Sequence, residues 1–389
     1  MSETITAELY PRAHKLLALA VVFVAVIAIV SNIAYPRETD FVAYWAASVL
    51  SLHHRAAAAY DPAALAIAEH AGASFAAHMP FGYPPPFLLV LLPFGLLPYG
   101  LATAAWVCAT AGAYLVAARK LLPGSAWLPL AFPPIAVNAV IGQNGLLTAA
   151  LMAGAAILLP RRPRLAGLLV GCLVIKPQLA ILFPLAFAAG GQWRAFAGAA
   201  LSAVGLSTLA LICFGPSALA AFVHAIPMFA AVVSGGLTGW YKMASVYATL
   251  RLAGVGAHAA WTIHIVIALA AAALVAIVWR GRHALPAKIA VLVAASMLVS
   301  PYLYVYDTVA LIVPFFWLAT HGADRRILAA LWLLPAVSIA QNWWIDLGID
   351  PMPLVPIGLL ALLGRQLFGR ALSGSPAVSG GFPTGGACA

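Results

Sequence analysis

The chain consists mainly of long apolar runs, with one extended polar stretch near its start. The first run, Leu16 to Ile33, is long enough to cross a bilayer, because about 20 helical residues span the ~30 Å hydrocarbon core. Residues 34–83 follow as the longest polar stretch. The pattern after it predicts an all-α polytopic membrane protein, a bundle of about 10–12 transmembrane helices. The further apolar segments lie at about 85–97, 101–118, 126–140, 145–159, 165–175, 178–190, 195–214, 217–234, 259–279, 286–299, 302–320, 327–341 and 351–364.

The basic flank of the first run sets the expected orientation. Because positively charged residues favour the cytoplasmic side, this flank predicts that residues 1–15 are a cytoplasmic N-terminus and that 34–83 form a large first outer loop. The flank consists of Arg12, His14 and Lys15. Within the outer loop we expect two short amphipathic helices, 41–52 and 62–72. Asp61 followed by Pro62 is a good helix start, with Asp as the N-cap and Pro at the first helical position.

The segment 85–97 has two possible arrangements. If it crosses the membrane, the basic clusters at 119–120 and 161–164 lie outside, against the positive-inside rule. If it forms a short re-entrant hairpin, both clusters return to the cytoplasm. Its length of about 13 residues, ~20 Å as a helix, favours the hairpin.

Composition supports a membrane protein and excludes several other classes. The chain has 64% hydrophobic and 8% charged residues, whereas a soluble domain carries about 25% charged residues. Its net charge of +10 is explained by cytoplasmic loop anchoring, so no nucleic-acid partner is expected. Residues 16–364 form the expected membrane domain, and 365–389 are a Gly/Ser/Pro-rich tail that we expect to be disordered. No P-loop, HExxH, GxSxG or Cys/His metal motif is present in the sequence.

Asp40 is the most informative residue, because the chain has only ten acidic side chains and this one falls just outside the first apolar run. Two interpretations are open. It could be an N-terminal charge of the 41–52 helix, with Thr39 sharing that role, or a general base that removes a proton from an acceptor hydroxyl. Tyr44 and Trp45, about one turn along, could form an interfacial aromatic belt or a platform on which a sugar stacks.

Three further polar positions interrupt apolar runs. Lys176 stands between two of them, where a lysine needs a partner or a wet cavity; it either snorkels to an interface or meets a phosphate. Gln143 and Asn144 lie in a Gly142–Gly145 segment that is either a plain turn or a set of sugar-facing donors. Asp307 opens a late apolar run, as a helix N-terminal charge or a polar wall of a cavity.

Taken together, these segments resemble glycosyltransferase family 87, the polyprenyl-phosphate-sugar-dependent group with the GT-C membrane fold that includes the phosphatidylinositol mannoside mannosyltransferases. The resemblance covers roughly residues 35–320, and it depends on the order and spacing of short motifs. These are Thr39-Asp40-Phe41 with Tyr44-Trp45, Ala59-Tyr60-Asp61-Pro62, Gly82-Tyr83-Pro84-Pro85-Pro86-Phe87, Gly142-Gln143-Asn144-Gly145-Leu146-Leu147, Arg164-Leu165-Ala166-Gly167, Ile175-Lys176-Pro177-Gln178, and Ser300-Pro301-Tyr302 with Tyr306-Asp307.

The resemblance implies an inverting transfer of a hexose, mannose being the first expectation, from a polyprenyl phosphate sugar to a lipid or glycan acceptor. The reaction would occur on the periplasmic face of the plasma membrane. The family's catalytic aspartate lies in the first outer loop, where Asp40 matches it. The implied substrate-binding candidates are Tyr44, Trp45, Gln143, Asn144, Lys176, Gln178 and Asp307. The chain departs from the family at Tyr302, where several relatives carry a histidine.

The expected mechanism uses Asp40 as base and a cation to balance the leaving phosphate, with Lys176 as first candidate and Lys242 or Arg251 as further ones. No cofactor or metal is expected, because the leaving group is already a stabilised phosphate. The alternative class is a multi-span transporter or lipid-linked-sugar flippase. A transporter would predict that Lys176 matters more than Asp40.

Overall fold

The computed structural model describes residues 39–73, 78–122, 127–237, 239–343 and 347–372, together with most of 15–33. The predicted cytoplasmic N-terminus therefore lies almost entirely outside the described residues, and so does the tail from 373 onward. The described part of the chain is 80% helical. In its described part, β pairing is confined to an isolated antiparallel bridge between Met243 and Tyr304.

The helices, numbered in chain order, are α1 (Ala18–Ala28), α2 (Phe41–Leu52), α3 (Pro62–Gly72), α4 (Pro86–Leu91), α5 (Tyr99–Leu121), α6 (Pro134–Ile141), α7 (Gly145–Leu158), α8 (Pro163–Gly171), α9 (Leu182–Ala189), α10 (Trp193–Ser234), α11 (Val246–Leu252), α12 (Ala257–Arg280), α13 (Leu285–Val299), α14 (Ile312–Thr320), α15 (Arg325–Trp343) and α16 (Leu354–Leu372). Short 3₁₀ helices connect several of them, at Ala56–Tyr60, Leu92–Leu96, Leu128–Ala131, Cys172–Ile175, Pro177–Leu179, Trp240–Lys242 and Val305–Leu311.

Three of the described helices, α5, α10 and α12, are long and apolar enough to cross a membrane. The other apolar helices are shorter, so the expected count of about 10–12 crossings stays a prediction. The segment 85–97 is one of the short ones, since α4 has six residues and the 3₁₀ helix after it has five. Its orientation likewise remains a prediction.

Helix α10 is bent in its middle. Gly215 has φ 74° and ψ 168°, outside the helical region, and Pro216 follows it. A proline removes a backbone donor and clashes with the preceding turn, so it marks the position of such a break. The two halves of α10 therefore run in different directions.

The two helices predicted within residues 34–83 have the predicted bounds, and Asp61 caps α3 by accepting a 2.8 Å hydrogen bond from the Ala64 amide. The prediction that both are amphipathic is wrong for α2. Ten of its twelve residues are buried, because it is enclosed by α3, α4 and the start of α5. Its first residue, Phe41, packs against the rings of Tyr99 and Trp106. Helix α2 is therefore held rigidly from its first turn.

The largest apolar core is centred on α13, twelve of whose fifteen residues are buried. A helix that is apolar all round belongs in the interior of a bundle. At the chain end, α16 continues to Leu372, into the predicted tail. It does so because Leu367 still packs against this core. Residues 365–372, which were predicted to belong to a disordered tail, are therefore helical, and the rest of the predicted tail lies outside the described residues.

Candidate active site

The centre of the candidate site is the turn between α6 and α7. Gly142 ends α6 in the left-handed conformation, with φ 69°, which an L side chain rarely adopts. A Cβ at Gly145 would collide with the Tyr306 carbonyl oxygen, so only glycine permits this approach. The Asn138 amide reinforces the contact by donating to the same Tyr306 oxygen at 2.9 Å. The turn is thereby fixed against the segment that carries Asp307.

Gln143 connects the turn to the start of α2. Its Nε2 donates to Asp40 Oδ2 at 2.8 Å. Its Oε1 accepts from the hydroxyls of Tyr44 and Tyr83, at 2.5 and 3.1 Å. These two hydroxyls fix the orientation of the amide, because an oxygen accepts and the NH₂ group must then face the carboxylate. Gln143 is therefore a preorganised donor to Asp40.

Asp40 precedes α2, but its side chain makes no cap hydrogen bond to that helix. The interpretation of Asp40 as a simple helix cap is therefore not supported, and Thr39 instead contacts the Tyr99 hydroxyl at 2.7 Å. Asp40 is half-buried. Burial raises the pKa of its carboxyl group, while the Gln143 hydrogen bond and then the charges of Lys242 and Lys176 lower it. A carboxylate with a raised pKa accepts a proton more readily, which suits a general base.

Lys176 contacts Asn144, the residue next to Gln143, and is buried. Pro177 keeps it out of helical geometry, as predicted, with φ −147° between two short 3₁₀ helices. Its ammonium group donates to Asp307 Oδ1 at 2.6 Å and to Asn144 Oδ1 at 3.3 Å. The ring centroid of Tyr306 lies 4.8 Å from the same nitrogen. Both side chains of the ion pair are buried, with exposed fractions of 3% and 0%.

Asp307 receives a second contact from its own segment, since the Tyr304 amide donates to Oδ2 at 3.2 Å. It sits in the first turn of the 3₁₀ helix that leads into α14, and Tyr304 and Asp307 there form a capping box. Both interpretations of Asp307 therefore have a structural counterpart. It is an N-terminal helix charge, and it also pairs with Lys176, whose ammonium group contacts Asn144 of the turn.

The structure brings six of the eight candidate residues into one cluster: Asp40, Tyr44, Gln143, Asn144, Lys176 and Asp307. Trp45 does not join it. Its indole donates to the Leu97 carbonyl at 2.9 Å, and the ring lies against Gly72 at the end of α3. Gln178 is half-buried and shares none of the cluster's hydrogen bonds.

Sequence reasoning did not assign Tyr83, Asn138 and Tyr306 to the site. Tyr83 and Tyr306 belong to motifs noted above, so their motif positions were an available signal. Asn138 had none, since it is a single polar residue within an apolar run. In the part of the chain that the structure describes, no three His, Cys, Asp or Glu residues are grouped as a metal-ligand set.

Comparison with known proteins decides the family. A model of glycosyltransferase family 87 matches residues 81–301, which is more than half of the 389 residues. The chain belongs to glycosyltransferase family 87. It is therefore an enzyme that transfers sugar, and its apolar helices make it a membrane glycosyltransferase. No curated protein and no solved structure matches it significantly.

The matched range of this glycosyltransferase includes Tyr83, Gln143 and Lys176 but neither Asp40 nor Asp307. The fold therefore brings the carboxylates of Asp40 and Asp307, which lie outside the matched range, into contact with residues inside it. Gln143 connects Asp40 to it, and Lys176 connects Asp307 to it.

Proposed function

We propose that this family 87 enzyme transfers a hexose, with mannose as first candidate, from a polyprenyl phosphate sugar to a lipid or glycan acceptor, with inversion. The observation that carries the proposal is the hydrogen bond from Gln143 to the half-buried Asp40. It joins an outer-loop carboxylate of raised pKa to the segment that defines the family. A base held in this way can act on a hydroxyl that approaches from the loop side.

The proposed step is a single displacement. The acceptor oxygen forms a bond to the anomeric carbon while the bond from that carbon to the phosphate oxygen breaks. The electron pair leaves with the polyprenyl phosphate, and the acceptor proton passes to Asp40. Because attack and departure occur on opposite faces of the sugar ring, the anomeric configuration inverts.

An apolar cavity of about 250 Å³ supports a lipid-linked donor. Pro84 to Pro86, Val174 and Phe222 line it, together with Gly215 at the break of α10. Its walls adjoin the site along the chain, because Pro84 follows Tyr83 and Val174 precedes Lys176 by two residues. In the proposal the isoprenoid units nearest the phosphate lie in this cavity, and the sugar faces Asp40.

The proposal also includes the cellular setting. The enzyme would be a multi-pass protein of the plasma membrane with its site on the periplasmic side, where the outer loop is expected. Nucleotide sugars are absent there, so a lipid-linked donor would be required. The basic flank before the first apolar run supports this orientation.

The test is sugar transfer by the purified protein in lipid nanodiscs, with labelled polyprenyl phosphate sugars and a membrane-lipid extract as acceptor. Asp40→Asn is the decisive variant, since asparagine can still accept the Gln143 hydrogen bond. Asp61→Asn is the matched control, because Asp61 is an exposed carboxylate of the same loop whose contact is a helix cap.

Product from the wild type and from Asp61→Asn, but not from Asp40→Asn, would establish the donor and support the base. Equal product from all three proteins would refute the assignment of Asp40. Donor binding without any product would refute the choice of donor or acceptor class.

A further inference from the structure

Three cations were candidates to balance the leaving phosphate: Lys176, Lys242 and Arg251. The structure gives the three side chains different surroundings, and these surroundings distinguish the cation that is available to a phosphate. The inference below rests on the proposed function, because it concerns the phosphate of the same donor.

Lys176 is already neutralised. Its ammonium group has three N–H donors, and the surroundings include a 2.6 Å contact to Asp307, a 3.3 Å contact to Asn144 and the face of Tyr306. With 2% of the residue exposed, a phosphate oxygen could reach it only if these contacts opened. Breaking a buried ion pair is strongly unfavourable.

Arg251 packs against a neighbouring aromatic residue. Its guanidinium carbon lies 4.4 Å from the ring centroid of Trp240, and its Nη1 donates to the Val255 carbonyl at 2.9 Å. The Trp240 indole in turn donates to the Val233 carbonyl at 3.0 Å. Arg251 therefore stabilises the position of the segment that begins at Trp240.

Lys242 lies in the segment that begins at Trp240, and it is exposed. Directly after it, Met243 bridges to Tyr304, and the Ala244 amide donates to the Leu303 carbonyl at 2.7 Å. The lysine is thus held between Trp240 and the segment that leads to Asp307. Its one described side-chain contact is with the ring of Tyr241, at 5.8 Å. Among the described residues no carboxylate lies within ion-pair distance of it.

The Met243–Tyr304 bridge places Lys242 beside the segment that carries Asp307, and the lysine also acts on the carboxyl group of Asp40. Its charge lowers the pKa of that carboxyl group more than the charge of Lys176 does, yet no ion pair joins the two described side chains. An inverting displacement requires that the base and the cation are not paired with each other, because they stand on opposite sides of the sugar.

We propose that Lys242 is the cation that binds the phosphate of the lipid-linked donor and of the departing polyprenyl phosphate. The Lys176–Asp307 pair then has a different task, which is to position Asn144 and the turn that carries Gln143. Arg251 positions Lys242 through Trp240.

The experiment compares two ligands that differ only in the phosphate, farnesyl phosphate and farnesol. Their binding to the full-length protein in detergent is measured by calorimetry, which needs no turnover. For Lys242→Gln we expect the dissociation constant of farnesyl phosphate to rise about tenfold, which corresponds to about 1.4 kcal/mol. Lys242→Arg should restore most of the affinity. Farnesol should bind all variants equally, which also shows that the apolar part of the site is intact.

Lys120→Gln is the matched control, because Lys120 is an exposed lysine at the end of α5. It should bind farnesyl phosphate as the wild type does. The proposal is overturned if Lys242→Gln keeps wild-type affinity for farnesyl phosphate, if farnesol binding falls in parallel, or if the wild type binds neither ligand.

The result can be separated from the outcome of the transfer assay. If Asp40→Asn kept full activity while Lys242→Gln lost phosphate affinity, the base assignment would fail and the phosphate site would stand. The reverse pattern would remove Lys242 and leave the base in place.

Discussion

Asp40 and Asp307 approach neighbouring residues of the same turn and have opposite surroundings. Asp307 is fully buried, and its two oxygens accept from Lys176 and from the Tyr304 amide. Asp40 is half-buried, and the described hydrogen bond to its side chain comes from the neutral amide of Gln143. One carboxylate is paired with a buried cation, whereas the other receives one hydrogen bond from the described residues, at Oδ2.

The difference shows how environment assigns roles to identical side chains. A carboxylate that is paired and buried stabilises the fold, because protonating it would leave a lysine unpaired in the interior. A carboxylate held by one donor and raised in pKa by burial can take up a proton and release it.

Asp40→Asn should have the largest effect on turnover. We expect kcat to fall by about 10²–10⁴, the usual contribution of a general base, with little change in thermal stability. Transfer rates and the unfolding temperature in detergent measure the two properties separately. A large loss of stability at this position would contradict this difference in roles, because it would make Asp40 a structural residue as well.

Asp307→Leu should show the opposite pattern, with stability as the main loss. Removing one partner of a buried ion pair costs about 3–5 kcal/mol, since the Lys176 charge is left in the interior. Thermal unfolding followed by fluorescence measures this. The double variant Lys176→Met with Asp307→Leu should recover much of the lost stability, because it removes both buried charges. If the double variant is no more stable than the single one, the pair is not the source of the loss.

Gln143→Ala should reduce kcat about tenfold to a hundredfold, because hydrogen bonds to charged groups contribute about 1.5–3 kcal/mol. It also removes a contact that lowers the pKa of Asp40, so the acid limb of the pH–rate profile should move to higher pH. Gln192→Ala is the control, since Gln192 lies in the connection between α9 and α10. Unchanged kinetics for Gln143→Ala would mean that Asp40 is oriented by other groups.

The smallest expected effect is a shift of pH dependence in Lys242→Gln. The base works when Asp40 is ionised, so activity falls as the pH drops through its raised pKa. The Lys242 charge lowers that pKa, and removing the charge should therefore move the acid limb upward. The measurement is kcat against pH at saturating donor. A limb that stays in place would show that Lys242 and Asp40 are not electrostatically coupled.

Much of the local structure could be predicted from sequence. The bounds of α2 and α3, the Asp61 cap and the non-helical geometry of Lys176 depend on signals within a few residues, such as capping types and proline restrictions. The family followed from the order of short motifs and is confirmed by the match over 81–301.

Other properties depended on neighbours that are distant in sequence. The same periodicity that gave α2 its bounds made it look amphipathic, whereas α3, α4 and α5 bury it on nearly all sides. Trp45 looked like a sugar platform from its position beside Tyr44. In the structure its ring packs against Gly72, and its indole N–H donates a hydrogen bond to the Leu97 carbonyl.

The membrane character, the helical segments, the family and the residue types available for chemistry could all be inferred from the amino-acid sequence. The tertiary structure alone decided which of these residues meet, because Asp40 and Gln143 are 103 positions apart and Lys176 and Asp307 are 131 apart. The physical reason is that capping and periodicity act within one or two turns, whereas the partner of a charge is set by the packing of whole helices. Two aspartates of the same chain therefore acquire different surroundings only after the bundle has closed around them.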